Sequence, residues 1–117
     1  MSLQRYLLRY GFIITILTFC FCANGQVVYS TKYSTDAHLK VFVTQYKSAA
    51  DLVVYQTQYK TEAEKNNGLW YFTEYASEAK KKIYFTEFKS DADLIICYTE
   101  NKTEAGWQNK DKQPKMN

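Results

Sequence analysis

The chain is poor in the residues that carry most enzyme chemistry: 117 residues contain one histidine, His38, and three cysteines. No nucleophile and base pair stands out, so triad and metalloenzyme chemistry are not expected. Both arginines, Arg5 and Arg9, and two of the cysteines, Cys20 and Cys22, fall in the first 25 residues. Four glycines and one proline exclude collagen-like chains, and 17% aromatic content excludes a chain with too little to bury.

Residues 1–25 read as a secretory signal peptide. Arg5 and Arg9 supply its positive start, Gly11 to Cys22 its apolar run, and Ala23-Asn24-Gly25 the small residues before cleavage at Gln26. The run is too short for a transmembrane helix, and no second one follows, so no membrane span is expected after cleavage. The protein is therefore expected to be exported, periplasmic or extracellular. What remains carries 13 Lys against 12 acids, a net charge of +1. The lysines are interleaved with acids, so nucleic acid is not an expected partner. Cys97 then stands alone, and no internal disulfide is available.

From residue 26 onward the chain is a repeat. Six copies begin at Val28, Val41, Val54, Trp70, Ile83 and Ile96, at steps of 13, 13, 16, 13 and 13 residues. The pattern is apolar, aromatic, any, Thr, polar, aromatic, any, Ser/Thr, any, Ala; these are called positions 1 to 10 below. Position 4 is always threonine (Thr31, Thr44, Thr57, Thr73, Thr86, Thr99), and position 10 always alanine (Ala37, Ala50, Ala63, Ala79, Ala92, Ala105).

The first six residues of each copy alternate like a strand, so Tyr29, Thr31 and Tyr33 share one face while Val28, Ser30 and Lys32 share the other. The second half reads as a one-turn helical cap, its Ser or Thr capping free amides and its acid suiting the positive end. Five to seven residues between strands leave no room for a crossover helix. The fold class is mostly β: six strand-plus-turn repeats in one domain over 26–108, with a disordered polar tail at 109–117. Asn66-Asn67-Gly68 is a turn of different chemistry, where Asn and Gly tolerate positive φ, and it divides the copies three and three.

The recurring VYxTxYxSxADL unit, the central NGLWYFTEY, the following KKIYFTEF and the closing EAGW resemble the small exported family named for the septoil knot, over about Val27 to Trp107. The resemblance implies a deeply knotted β-repeat with a seven-crossing torus knot, against the general rule that folds avoid true knots. It implies no activity. Departures lie in copy six, where Cys97 and Asn101 replace aromatics, and in the tail Lys110 to Asn117.

Single-residue candidates have plain structural readings. His38 is a solvated turn residue; Asp91-Ala92-Asp93 and Asp51 are caps, not metal ligands; Lys80 to Lys82 solvate a turn; Cys97 packs in the core. Asn101-Lys102-Thr103 matches a glycosylation acceptor, but the leader looks bacterial. No catalytic residue, cofactor site or metal site is expected. The row Tyr29, Thr31, Tyr33, Thr44, Tyr46, Tyr55, Thr57, Tyr59, Trp70, Tyr71, Thr73, Tyr75, Tyr84, Thr86, Phe88, Thr99 and Trp107 is read first as core and cross-strand packing. Its alternative role is a ladder binding carbohydrate or a polyanion. The functional expectation is a non-enzymatic domain with a structural or interaction role in the cell envelope or outside it, with an envelope polysaccharide or a protein as partner.

Overall fold

In the computed structural model, residues 26–117 are described; the leader and its cleavage site lie outside the described residues. Seven strands form: β1 (Val27–Ser30), β2 (Leu39–Val43), β3 (Leu52–Gln56), β4 (Leu69–Phe72), β5 (Lys81–Phe85), β6 (Leu94–Tyr98) and β7 (Gly106–Trp107). Six of them run parallel in the order β1-β5-β2-β6-β3-β4, and β4 pairs again with β1, which closes a barrel. The short β7 lies antiparallel on β3 beside Leu52 and Val53. Closure removes the open edges that a flat parallel sheet would expose.

Each connection is too short to carry a crossover helix, yet all but one skip a strand. The turn Ser34–Asp36 packs on β5, Lys47–Ala49 on β6 and Lys102–Glu104 on β3. Steps of two places around a ring of six take the chain past the axis in two passes, β4, β5 and β6 filling the gaps left by β1, β2 and β3. Only β3 to β4, the step with the three-residue insertion, moves to the adjacent place.

The repeat explains the closure bond by bond. In every copy the position 4 Thr N–H donates to a position 1 carbonyl on the next strand: Thr31 to Ile83, Thr86 to Val41, Thr44 to Ile96, Thr99 to Val54, Thr57 to Trp70 and Thr73 to Val28. The six bonds form a closed cycle. The position 1 side chains Val28, Val41, Val54, Trp70, Ile83 and Ile96 point inward and are fully buried. The strands start up to two residues before the copies and end at position 3, earlier than the alternation suggests. Threonine is the reason: its Oγ1 accepts the N–H two residues on, at 3.1 to 3.3 Å in all six copies, which takes that amide from the ladder.

The turns are 3-10 segments, and their position 8 hydroxyls sit inside the turn, not at its cap. Asp51 is not at a turn's start either. It stands in the return segment, with Asp93 and His38, where each side chain accepts a strand amide: Ile95, Lys40 and Lys82 respectively, at 2.8 to 2.9 Å. Of the lysine run, Lys81 and Lys82 belong to β5. Among Asn66, Asn67 and Gly68 only Gly68 uses positive φ.

The expectation of a disordered tail at 109–117 is overturned. Lys110–Met116 is a 3-10 helix, and Met116 is fully buried in the barrel core. The inward layer below position 1 offers Leu39, Leu52 and Leu94 as large buried apolar side chains, with Gln26 buried in the β1 place and Gly68 just before β4, and Met116 joins them. The tail is held by the Met116 carbonyl accepting from Gln26 Nε2 at 3.1 Å, by Asn66 Nδ2 donating to the Gln113 carbonyl at 2.9 Å, and by Lys112 on Asp51 at 3.1 Å.

Burial alone would raise the Asp51 carboxyl, but the Ile95 amide, Lys112 and Asn109 outweigh it and hold it below its usual value. A carboxyl lowered on folding stabilises above its unfolded value and loses that contribution as pH falls through the folded one. Asp51→Asn should therefore lower the neutral-pH melting temperature, removing charged hydrogen bonds of about 1.5–3 kcal/mol each, and should flatten the fall in stability below about pH 4. Melting curves of both proteins from pH 7 to pH 2 check this; parallel curves would refute it.

Candidate functional site

All six barrel strands run the same way, so the segments leaving them gather at one rim. There the row of sequence-selected residues splits in two. The threonines are buried or nearly so, their backbone N–H groups taken by the closure cycle. Position 6, expected to share their packing, is solvent-exposed: Tyr33 66%, Tyr46 70%, Tyr59 64%, Tyr75 64% and Phe88 68%. The physical cause is the threonine itself. Its bond to the position 6 amide ends the strand there, and the extended backbone of that residue, φ between −119° and −105°, carries the ring beyond the barrel wall into the start of the turn.

The other selected residues fall elsewhere. Tyr29, Tyr55, Tyr71 and Tyr84 at position 2 are half-buried on the outer wall. Trp70 is wholly buried, and Phe72, which stacks on Phe85 at 6.3 Å, tilts against it at 6.1 Å. Trp107 is half-buried in β7, its indole N–H donating to Asn66 Oδ1 at 2.9 Å. Neither tryptophan is free to serve as an exposed platform. Cys97 is buried on the outer wall in the position 2 place.

Asn101 fills the sixth rim place, and its Oδ1 accepts from the Thr103 N–H at 3.1 Å. A polar residue where five copies carry rings was the one signal in the sequence that position 6 lies outside the core.

Three of the rim's glutamates are paired. Glu104 takes the Thr99 hydroxyl and Lys47; Glu62 takes the Thr57 hydroxyl and Lys102; Glu78 takes the Thr73 hydroxyl and Lys60. The lysine bond first and the threonine bond second hold each of these carboxyls below its usual value, and Glu62 in turn raises Lys102. Asp91 pairs with Lys40 at 3.3 Å, and Asp93 is taken by the Lys40 amide, so neither of the acids in that motif is unengaged. Among the described residues no group of His, Cys, Asp and Glu is arranged to hold a metal ion.

Three open grooves mark the surface. One, of about 460 Å³, lies between the rim segments of copies one and five and is lined by Ser34, Tyr84, Thr86, Glu87, Phe88 and Asp91. A second, between copies three and six, is lined by Tyr55, Gln56, Tyr98, Thr99 and Glu100; burial raises the Tyr98 phenol against a bond with Gln56 that lowers it. The third sits beside the tail, under Trp107 and Lys110.

A family model described as the 7(1) septoil knot domain matches residues 25–108. No curated protein and no solved structure matches the chain.

Proposed function

The chain belongs to the septoil knot domain family, and from that premise we propose that it is a non-enzymatic, exported binding domain. Its contact surface is the aromatic rim, and its ligand is a neutral polysaccharide of the envelope or the surrounding matrix. The observation that carries this reading is the exposure of five aromatic rings at one repeated position on one end of the barrel. A core that already buries Trp70 and five aliphatic residues in its central layer has no need of them, and exposed apolar groups at one site mark contact surfaces. Rings with polar tips suit sugars, offering flat apolar area and hydrogen bonds together.

A neutral ligand is favoured over a polyanion because three of the rim cations, Lys47, Lys60 and Lys102, are each engaged by a glutamate. The non-enzymatic reading draws support from the displaced carboxyls. Asp51, Glu62, Glu78 and Glu104 are all lowered, which suits fixed anions and not general acids at neutral pH.

The test is retention of the purified chain on insoluble cellulose, chitin and peptidoglycan, with alginate as an acidic comparison, at low and high salt. Salt-resistant retention on a neutral polymer is expected, and it should vanish when Tyr33, Tyr46, Tyr59, Tyr75 and Phe88 are all replaced by Ala. Retention on alginate alone, lost at high salt, would turn the reading toward a polyanion.

A further inference from the structure

The rim is not uniform around its circumference. In copies six, three and four, which are consecutive around the barrel, each position 4 hydroxyl donates to a glutamate five residues on, and each glutamate is also tied to a neighbouring lysine. In copies one, five and two, also consecutive, position 9 is Asp36, Asp91 or Ala49, none of which takes the hydroxyl. Thr31, Thr86 and Thr44 accept an amide, yet their hydroxyl protons have no acceptor among the described residues. The barrel end thus has a closed half and an open half.

Three further observations align with that division. The aromatic gap at Asn101 falls in the closed half, whereas the open half carries a ring in all three places: Tyr33, Phe88 and Tyr46. The groove between copies one and five lies within the open half, and Thr86, 8% exposed, lines it with its unspent donor. The groove between copies three and six is the closed half's counterpart, and its threonine hydroxyl is already used. Thr99 is given to Glu104, Gln56 bonds the Tyr98 phenol oxygen, and the Tyr55 face lies under Lys102 Nζ at 5.9 Å.

We propose that the groove between copies one and five is the sugar-binding subsite: Tyr84 and Phe88 supply the platform, the Thr86 hydroxyl donates to a sugar oxygen, and Glu87 with Ser34 accepts sugar hydroxyls. This rests on the polysaccharide reading above and locates it. Glu87 has no ion-pair partner among the described residues, while Asp91 stays pinned by Lys40 and forms the wall. At about 460 Å³ the groove falls in the range of small-ligand sites.

Single variants on each half decide the matter, read as dissociation constants for whichever neutral polymer retains the parent chain. Phe88→Ala and Thr86→Val are each expected to weaken binding by about tenfold, and Thr86→Ser to restore it. Thr73→Val, the matching change in the closed half, should leave binding within about twofold, and Tyr75→Ala should weaken it less than Phe88→Ala does. Thr73→Val also removes the same turn bond, so it separates lost folding from a lost donor. If Thr86→Val does not fold, Phe88→Ala, at a 68% exposed position, decides alone. Loss with Tyr75→Ala and not with Phe88→Ala would overturn the subsite and leave the polysaccharide reading standing. A parent chain retained on no neutral polymer would overturn both.

Discussion

Ending the chain at Asn109 is expected to cost more than about 3 kcal/mol of stability, a fall in melting temperature of at least about 12 °C for a domain of this size. Burying Met116 accounts for most of it, since truncating a core methionine to alanine alone costs about 2–5 kcal/mol. The truncation also opens the Lys112–Asp51 pair and leaves a buried carboxylate short of its cation. Met116→Leu, close in volume, should cost less than about 1.5 kcal/mol. Thermal and urea unfolding of the three proteins would settle it; an unchanged midpoint in the truncated chain would mean that Met116 contributes nothing to the core.

The second large effect is at Gly68. It holds φ +92°, and a Cβ there would lie 2.6 Å from the Val53 carbonyl oxygen and 2.8 Å from the Gly106 nitrogen. Both are backbone atoms, so no side chain can swing aside. They belong to β3 and β7, at the place where the edge of β3 is divided between β4 and β7. Gly68→Ala should therefore part the closing strands, with a loss of several kcal/mol or no soluble folded protein. Gly106→Ala is the informative partner, because a Cβ there meets nothing within 4 Å; its φ of +154° keeps some backbone cost. Comparable losses in both variants would show that positive φ, not close approach, governs Gly68.

The two variants bear on how far this fold could be read in advance. The six copies and their strands were legible because β-branched and aromatic residues recur at a fixed step. Winding order was not. It depends on which strand sits between two consecutive ones, and nothing at Thr31 names Ile83 as its partner; the knot came from the family likeness. The tail misled through its composition: Lys110, Lys112, Gln113 and Lys115 look solvated, and only Met116, one residue from the end, belongs to the core. At the rim, Tyr33 and Tyr29 look alike in the repeat, yet one is exposed and one half-buried. What separates them is the threonine between, whose hydroxyl ends the ladder. Alternation cannot record that.

The strand order has a consequence for how the molecule comes into being. β1, β2 and β3 pair only with β4, β5, β6 and β7, never with one another. A nascent chain that has reached Gln56 has made half the barrel's strands and cannot close one ladder between them. Contact order is therefore high by construction, and slow folding from a fully synthesised chain follows, since long loops must close before any pairing repays them. The apolar first half stays unpartnered throughout its synthesis, so aggregation, and not unfolding, is the hazard this architecture carries.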